Sequence, residues 1–548
     1  MANKEPTFYW YDYETFGLDV VRDRPVQFAG VRTTLDFQKV GEEANLLCRP
    51  SNDHLPSPES VAITGITPQY ALEKGISEIK FAEQIWHEFN QPNTTVLGYN
   101  TSGFDDDVSR FLFWRNFLDP YSYQWKNGCS RWDIFPVVLA LWALRPENFS
   151  WPTWESVAEF AVSEVEQNKR REKGKSICFK LEYLTKANQI VHDHAHDALS
   201  DVYGTIALAQ LIAQRNPDFW KWAYANRSKD KVLAALQKGP VLWIESKFGQ
   251  EHGFMKIVNI IGFNPGKRNE AFVWDCAEDP TSKDFDLMSL TKEEWDARLF
   301  PTKAQKEKLK VDGVRPLPVY RLSINTSPFV CGALGVLTKE RAQQFGIDKA
   351  KAKENATKLS SMLDALQGAL SSHAERHPYE GPSEADYALY SSDFPSREDA
   401  ERMRCVRYAG EVSFAELGDK NLVQFESALL NQLLERYRAR NWPMTLSPQQ
   451  KMDWDEHRYQ LLTGKLDSNT RTFSKFFEEV KKTEEDIKTI KHEAVKSKKL
   501  QLLKETIMWV DGIKKEVLKP NVLLDQQVDS TNKIDSLSNQ DFDFDLVN

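Results

Sequence analysis

The sequence lacks any long apolar run. No stretch of its 548 residues approaches the roughly 18–20 consecutive apolar residues of a membrane-spanning helix. The first residues, MANKEPTFYWYDYE, include Asp12 and Glu14 and lack the apolar core of a secretory signal. We therefore expect a cytoplasmic protein without membrane contact. A chain of this length exceeds one hydrophobic core and predicts two to four domains.

Paired cysteines and an excess of basic residues are also absent. The six cysteines are scattered without a C-x-x-C pair, whereas a disulfide framework or a zinc site shows short, repeated spacings. The net charge of −9 counts weakly against a nucleic-acid partner, which usually needs a basic surface. Residues 521–548, however, hold six Asp and one Lys, so −5 of the −9 lies there and −4 remains for the rest. An acidic metal site within a basic groove would not be visible in this sum.

The order of predicted elements divides the chain into four parts. Three strand-like runs within residues 7–50, followed by alternating helices and short strands up to Gln214, are typical of an α/β domain. From Pro240, β-rich runs with proline and glycine turns indicate a small β-rich domain, and helical patterns follow. The predicted boundaries are 1–214, 215–337, 338–519 and a disordered acidic tail, 520–548. The highly charged residues 155–176 indicate a surface insertion.

The first chemical signal is a pair of carboxylates at the end of the first predicted strand. Strand side chains alternate between faces, so Asp12 and Glu14 point the same way. Two adjacent carboxylates repel each other unless a cation lies between them. Their hard oxygen atoms suit Mg²⁺ or Mn²⁺ better than zinc. The alternative is a polar strand end that enters a turn.

The second signal, Phe104-Asp105-Asp106-Asp107, lies where a helix begins after a strand and a loop. Aspartate is favoured at a helix N-cap and in the first helical turn, so helix capping explains at least one of the three aspartates.

The third signal is His196 followed by Asp201 at the start of an apolar-striped helix. If both residues were helical, their side chains would point about 140° apart around the helix axis. A single site therefore forms more easily if His196 lies on the loop before the helix. A loop histidine beside a metal can take a proton from water. The alternatives are an incidental surface run of His192, His194 and His196, or a histidine-only transition-metal site.

The order of these motifs resembles the DEDD exonuclease superfamily, in its histidine-containing branch. The five matching positions are Asp12, Glu14, Asp105, His196 and Asp201. The segments DYETFG, DRPVQFAG, ITGITPQ, LGYNTSGFDDDVSR and AHDALSDVY together resemble bacterial exonuclease I, most strongly before residue 210. This resemblance implies a ribonuclease H-like α/β exonuclease domain with a mixed sheet, then an SH3-like β-rich domain and an α-helical C-terminal domain.

The resemblance also implies a function. Family members hydrolyse single-stranded DNA processively from its 3′ end to 5′-mononucleotides, in DNA repair and recombination. The resemblance implies two Mg²⁺ ions, with Mn²⁺ as a substitute, and the four residues that hold them are Asp12, Glu14, Asp105 and Asp201. It also implies that His196 is the general base. It further implies a monomer whose partners are single-stranded DNA and the C-terminal tail of single-stranded DNA-binding protein.

Residues 110–126 alternate aromatic and basic side chains. This composition can hold a strand without reading its sequence, because every base has a stacking face and every linkage has a phosphate. About half of these aromatics are expected to be core. By alignment with the family, the implied substrate contacts are Glu14, Arg110, Tyr121, Trp125, Lys229, Asn269 and Asn325. Lys180 stands where the family usually has an arginine near the terminal phosphate, and a lysine keeps the charge but loses the bidentate fork.

Two other functions compete with this interpretation. A 3′→5′ exoribonuclease of the same superfamily is typically little more than the catalytic domain, so the two additional domains favour DNA. A non-catalytic protein that binds single strands is disfavoured because all five catalytic positions are intact.

The chain ends in DFDFDLVN, residues 541–548, which resembles the acidic, phenylalanine-bearing tip of single-stranded DNA-binding protein. One hypothesis is that this tail occupies the partner's pocket on its own body. The alternative is a solubilising acidic tail that does not dock.

Overall fold

The computed structural model describes residues 5–192, 197–285, 287, 289–418 and 420–518. The strands are β1 Thr7–Thr15, β2 Pro25–Thr34, β3 Ala44–Leu47, β4 Thr94–Gly98, β5 Ser130–Asp133, β6 Val241–Ile244, β7 Met255–Asn264, β8 Lys267–Asp275, β9 Val319–Ser323 and β10 Phe329–Cys331. Among these residues, no helix has both the length and the apolar character needed to cross a membrane.

The helices before β6 are α1 Pro58–Thr64, α2 Pro68–Lys74, α3 Glu78–Phe89, α4 Asp105–Arg115, α5 Phe135–Leu144, α6 Glu164–Glu172, α7 Leu181–Ala187, α8 Ala198–Arg215, α9 Pro217–Asn226 and α10 Lys229–Leu236. Those after β8 are α11 Lys292–Arg298, α12 Lys303–Val311, α13 Lys339–Gln344, α14 Lys349–Ser360, α15 Leu363–Arg376, α16 Arg397–Tyr408, α17 Glu411–Ala415, α18 Ala428–Asn441, α19 Pro448–Leu462, α20 Phe473–Lys488 and α21 Glu493–Leu518.

The first sheet has the order β3-β2-β1-β4-β5. β1 pairs antiparallel with β2 and parallel with β4, and β4 continues parallel to β5. This mixed sheet, covered by helices, confirms the predicted α/β fold of the ribonuclease H-like type.

Both faces of β1 are buried, and the packing of each face shows on which side of the sheet the acidic end of the strand lies. Phe8 and Trp10 belong to the core cluster that includes α8, while Tyr9, Tyr11 and Tyr13 pack on the other face with Phe28 and Phe89. Because side chains alternate along a strand, Asp12 and Glu14 continue the face of Trp10. The strand therefore changes from apolar to acidic on the side where α8 lies.

The second sheet is antiparallel throughout, in the order β10-β6-β7-β8-β9, and confirms the predicted SH3-like β-rich domain. Sequence reading overlooked α11 and α12, between β8 and β9. Each begins with a capping box, formed by Thr291 with Glu294 and by Thr302 with Gln305, and these motifs could have revealed them. Helices α14 and α15 pack against β7.

The later part of the chain is helical, as predicted. One apolar stripe runs along α21, where Leu503, Val510, Ile513 and Val517 are buried. We call α20 and α21 the helical hairpin, and it packs against α1 and α2 of the first domain. The domain boundaries derived from composition stay predictions, and the tail predicted for residues 520–548 lies outside the described residues.

A cluster of buried charges joins the first domain to the helical domain. Arg440 of α18 donates to Asp53 at 2.8 Å and to Asp386 at 2.8 Å. Arg24 lies 3.7 Å from each of the same two carboxylates. Burial raises the pKa of Asp53, but Arg440 and Arg24 outweigh this effect and hold that pKa well below its usual value. Both carboxylates therefore remain charged in the folded protein.

Removal of Arg440 should destabilise the fold. Arg440→Leu leaves two buried carboxylates with Arg24 as the remaining cation, and breaking a buried pair typically costs about 3–5 kcal/mol. Thermal or denaturant unfolding measures this loss. Arg404→Leu is the control, because Arg404 is an exposed helical residue that pairs with Glu401. Equal stability of the two variants would contradict the role given to the buried cluster.

Candidate active site

Three carboxylates converge where β1 meets α8. Asp12 and Glu14 extend from β1, and Asp201 lies in the first turn of α8. Each offers an oxygen within 4.8 Å of the others. Helix α8 is held over β1 by Val202 and Ile206, which share an apolar cluster with Trp10. The packing of this helix therefore brings residues almost 190 positions apart in the sequence to one place.

Asp105 joins this group from the start of α4. Its Oδ1 atom accepts a hydrogen bond from the backbone N–H of Tyr13, at 3.3 Å, between Asp12 and Glu14. Asp106 instead faces the tyrosine side and accepts from Tyr11 at 3.0 Å. Asp107 accepts from Arg110 at 2.8 Å. Three consecutive aspartates thus have three different environments.

The electrostatics of the group favour either a bound cation or protonated carboxyls. Burial, followed by the charges of Asp105, Asp201 and Glu14, raises the pKa of Asp12 well above its usual value. Burial and the charges of Asp201 and Asp105 raise the pKa of Glu14 to about 8. Carboxylates crowded in this way hold protons unless a cation compensates for their repulsion.

The donor set suits a hard divalent cation. Its atoms are carboxylate oxygens, without a thiolate, and oxygen donors of this kind favour Mg²⁺ or Mn²⁺. The geometry agrees with the electrostatics, since one bound cation would offset both the burial and the repulsion that raise the two pKa values.

A neighbouring acid, Asp197, has a structural role that is visible in the contacts. Its side chain caps α8 by accepting from the backbone of Ser200, and it also accepts from Gln27 at 3.0 Å. The predicted general base, His196, lies outside the described residues.

Sequence reading missed a different histidine. The Nε2 atom of His192 lies 2.7 Å from Asp201 Oδ1, and its Nδ1 atom lies 3.1 Å from the Thr185 hydroxyl. Gly204, inside α8, makes room for the ring, because a Cβ atom there would lie 3.2 Å from it. A glycine in the middle of a helix, beside a run of histidines, was the available signal.

Three predicted strand contacts of the first domain, Arg110, Tyr121 and Trp125, lie along α4 and the segment after it, and Lys180 precedes α7. Trp125 is 68% exposed, which suits a stacking residue, whereas Trp114 and Tyr123 of the same segment are core. Tyr121 is half-buried, and its ring lies 6.2 Å from that of Phe394 in the helical domain. Lys180 is exposed and lies 3.6 Å from Glu182.

The contacts predicted in later segments come together as a second group. Lys229 Nζ donates to Asn269 at 2.6 Å, and the backbone of Ile324, next to Asn325, also bonds to Asn269. Arg131 of β5, which sequence reading missed, connects this group to the acidic site. Its guanidinium donates to the Asn325 carbonyl at 3.3 Å and pairs with Asp106.

Family models match almost the whole chain. An exonuclease model matches residues 9–209, the exonuclease I SH3-like domain matches 227–373, and the exonuclease I C-terminal domain matches 383–513.

Comparison with individual relatives points to the same family as the family models. The exodeoxyribonucleases I of Haemophilus influenzae and Escherichia coli are each 35% identical to this chain, over 84% of it and 91% of the relative. The solved exonuclease I of E. coli with a dA16 oligonucleotide has a TM-score of 0.79 at 33% identity, over 93% of this chain and 100% of that one. Exonuclease I from Methylocaldum szegediense has a TM-score of 0.79 at 32% identity, over 93% of this chain and 99% of that one.

The mixed sheet and its carboxylates define a nuclease of the metal-dependent exonuclease class. The two additional domains narrow this class further, since they match models specific to one family. The chain belongs to the exonuclease I family.

The variant Gly204→Ala tests whether the position of the His192 ring affects the carboxylate group. Alanine favours a helix over glycine by about 1 kcal/mol, so we expect stability to be kept or raised. The displaced ring should weaken Mn²⁺ binding, measured by calorimetry, by about tenfold, the lower end of effects from groups that orient metal ligands. Gly512→Ala in α21 is the matched control, because its added Cβ meets open space. Equal Mn²⁺ affinity in both variants would show that His192 does not orient Asp201.

Proposed function

We propose that this protein is a processive 3′→5′ exonuclease that releases 5′-mononucleotides from single-stranded DNA. The observation that carries the proposal is the convergence of Asp12, Glu14 and Asp201 beside Asp105. The relatives that match along most of the chain are exodeoxyribonucleases I, and one solved relative holds a DNA oligonucleotide.

Each acidic residue has a part in this proposal. Asp12, Glu14, Asp105 and Asp201 would hold two Mg²⁺ ions, with Mn²⁺ as a substitute. When bound, such ions stabilise charge on the phosphate and lower the pKa of water. His196 would act as general base and accept the proton of the attacking water.

The remaining predicted residues would hold the strand. Trp125 and Tyr121 offer rings for stacking, and Arg110, already fixed by Asp107, offers charge to a phosphate. Lys180 would approach the terminal phosphate as a single point charge, because a lysine cannot form the planar fork of an arginine. Lys229, Asn269 and Asn325 would extend this path over the second sheet.

The setting of the activity is part of the same proposal. A cytoplasmic monomer would act in DNA repair and would bind the C-terminal tail of single-stranded DNA-binding protein. A solved structure of that protein with exonuclease I and an inhibitor supports such a partnership. The hypothesis that the chain's own tail competes for that pocket falls on residues outside those described.

Substitution of Asp201 tests the proposal directly. Asp201→Asn removes one negative ligand while it keeps the shape of the side chain, so Mg²⁺-dependent cleavage should fall to background. Binding of the strand should remain, because the stacking and basic residues are unchanged. Labelled single-stranded DNA and RNA of one sequence measure both properties, and DNA should be the substrate that is degraded.

The control for this experiment is Asp218→Asn, an exposed aspartate in the first turn of α9 that lies outside the carboxylate group. It should cleave like the parent protein. Mg²⁺-dependent cleavage by Asp201→Asn would contradict the metal site, and faster degradation of RNA than of DNA would contradict the substrate.

A second prediction concerns Trp125. Because this ring is 68% exposed, Trp125→Ala should leave the melting temperature unchanged. It should weaken binding of a long oligonucleotide by about 1–3 kcal/mol, the value of one base stack. Fluorescence anisotropy and thermal unfolding measure the two quantities. A lower melting temperature with unchanged affinity would instead make Trp125 a structural residue.

A further inference from the structure

Two histidines and an aspartate meet beside the second sheet, outside the carboxylate group of the first. Helices α11 and α15 pack against each other, and Trp295 of α11 shares an apolar cluster with Leu366 of α15. This packing brings Asp296, in the last turn of α11, to His373 and His377 at the end of α15. Each of the three residues offers one ligand atom, and these atoms lie within 4.8 Å of one another.

The two histidines lie on one face of α15. They are four residues apart, and residues at this spacing are neighbours on the surface of a helix. The centroids of their rings are 4.6 Å apart. The H-E-x-x-H motif of zinc enzymes uses the same spacing to bind one metal ion with two histidines.

Both rings turn a nitrogen atom towards the Asp296 carboxylate. The Nδ1 atom of His373 lies 2.7 Å from Oδ1, and the Nε2 atom of His377 lies 3.5 Å from Oδ2. In a tetrahedral zinc site with bonds of about 2.0–2.1 Å, neighbouring ligand atoms lie roughly 3.3 Å apart. The two observed separations lie on either side of this value, so small side-chain movements would bring the ligand atoms to bonding distance.

The surroundings of these three residues favour a cation. Both helices end here, and the last turn of a helix carries partial negative charge. Glu293 and Glu375 act on Arg376 together with Asp296, so three acids lie around one arginine. Arg321 adds a second positive charge near the group. The carboxylates therefore exceed the arginines by one charge before any metal ion binds.

Arg376 fixes the orientation of the carboxylate. Its Nη2 atom donates to Oδ1 of Asp296 at 2.7 Å, and its Nε atom donates to Oδ2 at 3.3 Å. Carboxylate ligands in metal sites are themselves hydrogen-bonded by residues that do not touch the metal. The pair of Arg376 with Asp296 is complete without His377, whose side chain is 55% exposed and still turns its Nε2 atom to the same carboxylate.

We propose that Asp296, His373 and His377 bind one Zn²⁺ ion, with water in the fourth position. Imidazole nitrogen atoms suit Zn²⁺, whereas the oxygen-only group at β1 and α8 suits Mg²⁺ or Mn²⁺. The two sites of the chain thus differ in the metal that they prefer. The Zn²⁺ ion joins α11 to α15 and stabilises the packing of these two helices beside the second sheet.

Zinc binding to the full-length protein tests the site. In calorimetry with excess Mg²⁺, the parent should bind Zn²⁺ at a site that His377→Gln weakens at least about tenfold. His377 is replaced because its exposed side chain can change without loss of the fold. His87→Gln is the matched control, since His87 is an exposed histidine in the last turn of α3. Both variants keep the carboxylates of β1 and α8, so an event lost in His377→Gln alone belongs to the histidine pair.

Two further measurements report on the same site. Four-coordinate Co²⁺ absorbs visible light more strongly than six-coordinate Co²⁺, so added Co²⁺ should give a strong band with the parent and with His87→Gln but not with His377→Gln. Zn²⁺ should raise the melting temperature of the same two proteins, because a ligand that binds only the folded state stabilises it. In EDTA, all three proteins should melt alike.

Equal Zn²⁺ affinity in His377→Gln and His87→Gln would overturn the site and leave an ion-pair network in its place. A parent that binds no Zn²⁺ in excess Mg²⁺ would overturn it as well. A lower melting temperature of His377→Gln in EDTA, with unchanged Zn²⁺ affinity, would give this histidine a structural role only. None of these measurements depends on cleavage, so they decide the zinc site whether or not the proposed function holds.

Discussion

Repulsion between like charges at the end of β1 is the constraint on which the site depends. Asp12 and Glu14 continue the face that carries Phe8 and Trp10, so their carboxylates are partly withdrawn from water and lie beside other acids. Aligned with Asp105 and Asp201, they oppose folding unless a cation or protons reduce their charge. A fold that keeps such a group together under strain holds its ligands near their bound arrangement before the cation arrives, and so little reorganisation is needed on binding.

Hydrogen bonds restrain two of these four side chains, Asp105 and Asp201. The Tyr13 N–H fixes Asp105, and Tyr11 holds Asp106 on the opposite face of the strand. His192 restrains Asp201, at the expense of a glycine in α8. The glycine that weakens α8 thus leaves room for the histidine that contacts Asp201.

Much of the fold was readable from the sequence because its signals are local. The alternation of Phe8, Trp10, Asp12 and Glu14 predicts both a strand and the common face of the carboxylates. The fold classes of the three domains, which the structure confirms, were implied by the resemblance to exonuclease I and agreed with the changes in element pattern. The short helices α11 and α12 were missed because an apolar stripe needs more turns than they have, although their capping boxes were present.

What the sequence could not show are contacts between residues far apart in the chain. The residues next to His192 in the sequence do not distinguish it from a histidine in an exposed run, and the one signal, Gly204, lies twelve residues further along the chain. The pairing of Arg440 with Asp53 joins positions 387 residues apart, and no spacing rule reaches that far. The isolated β-bridge that joins Ser163 to Ile490 is of the same kind. Such contacts depend on how whole domains pack against each other, and the spacing of apolar residues along the sequence does not predict that packing.

Arg131 has a thermodynamic consequence for this molecule. It pairs with Asp106, the neighbour of a site carboxylate, and donates to the Asn325 carbonyl on the second domain. If a ligand at Asn325 and a cation near Asp105 each displaced this guanidinium, their binding free energies would be coupled. Such a coupling is reciprocal, so each ligand would change the affinity of the other by the same factor.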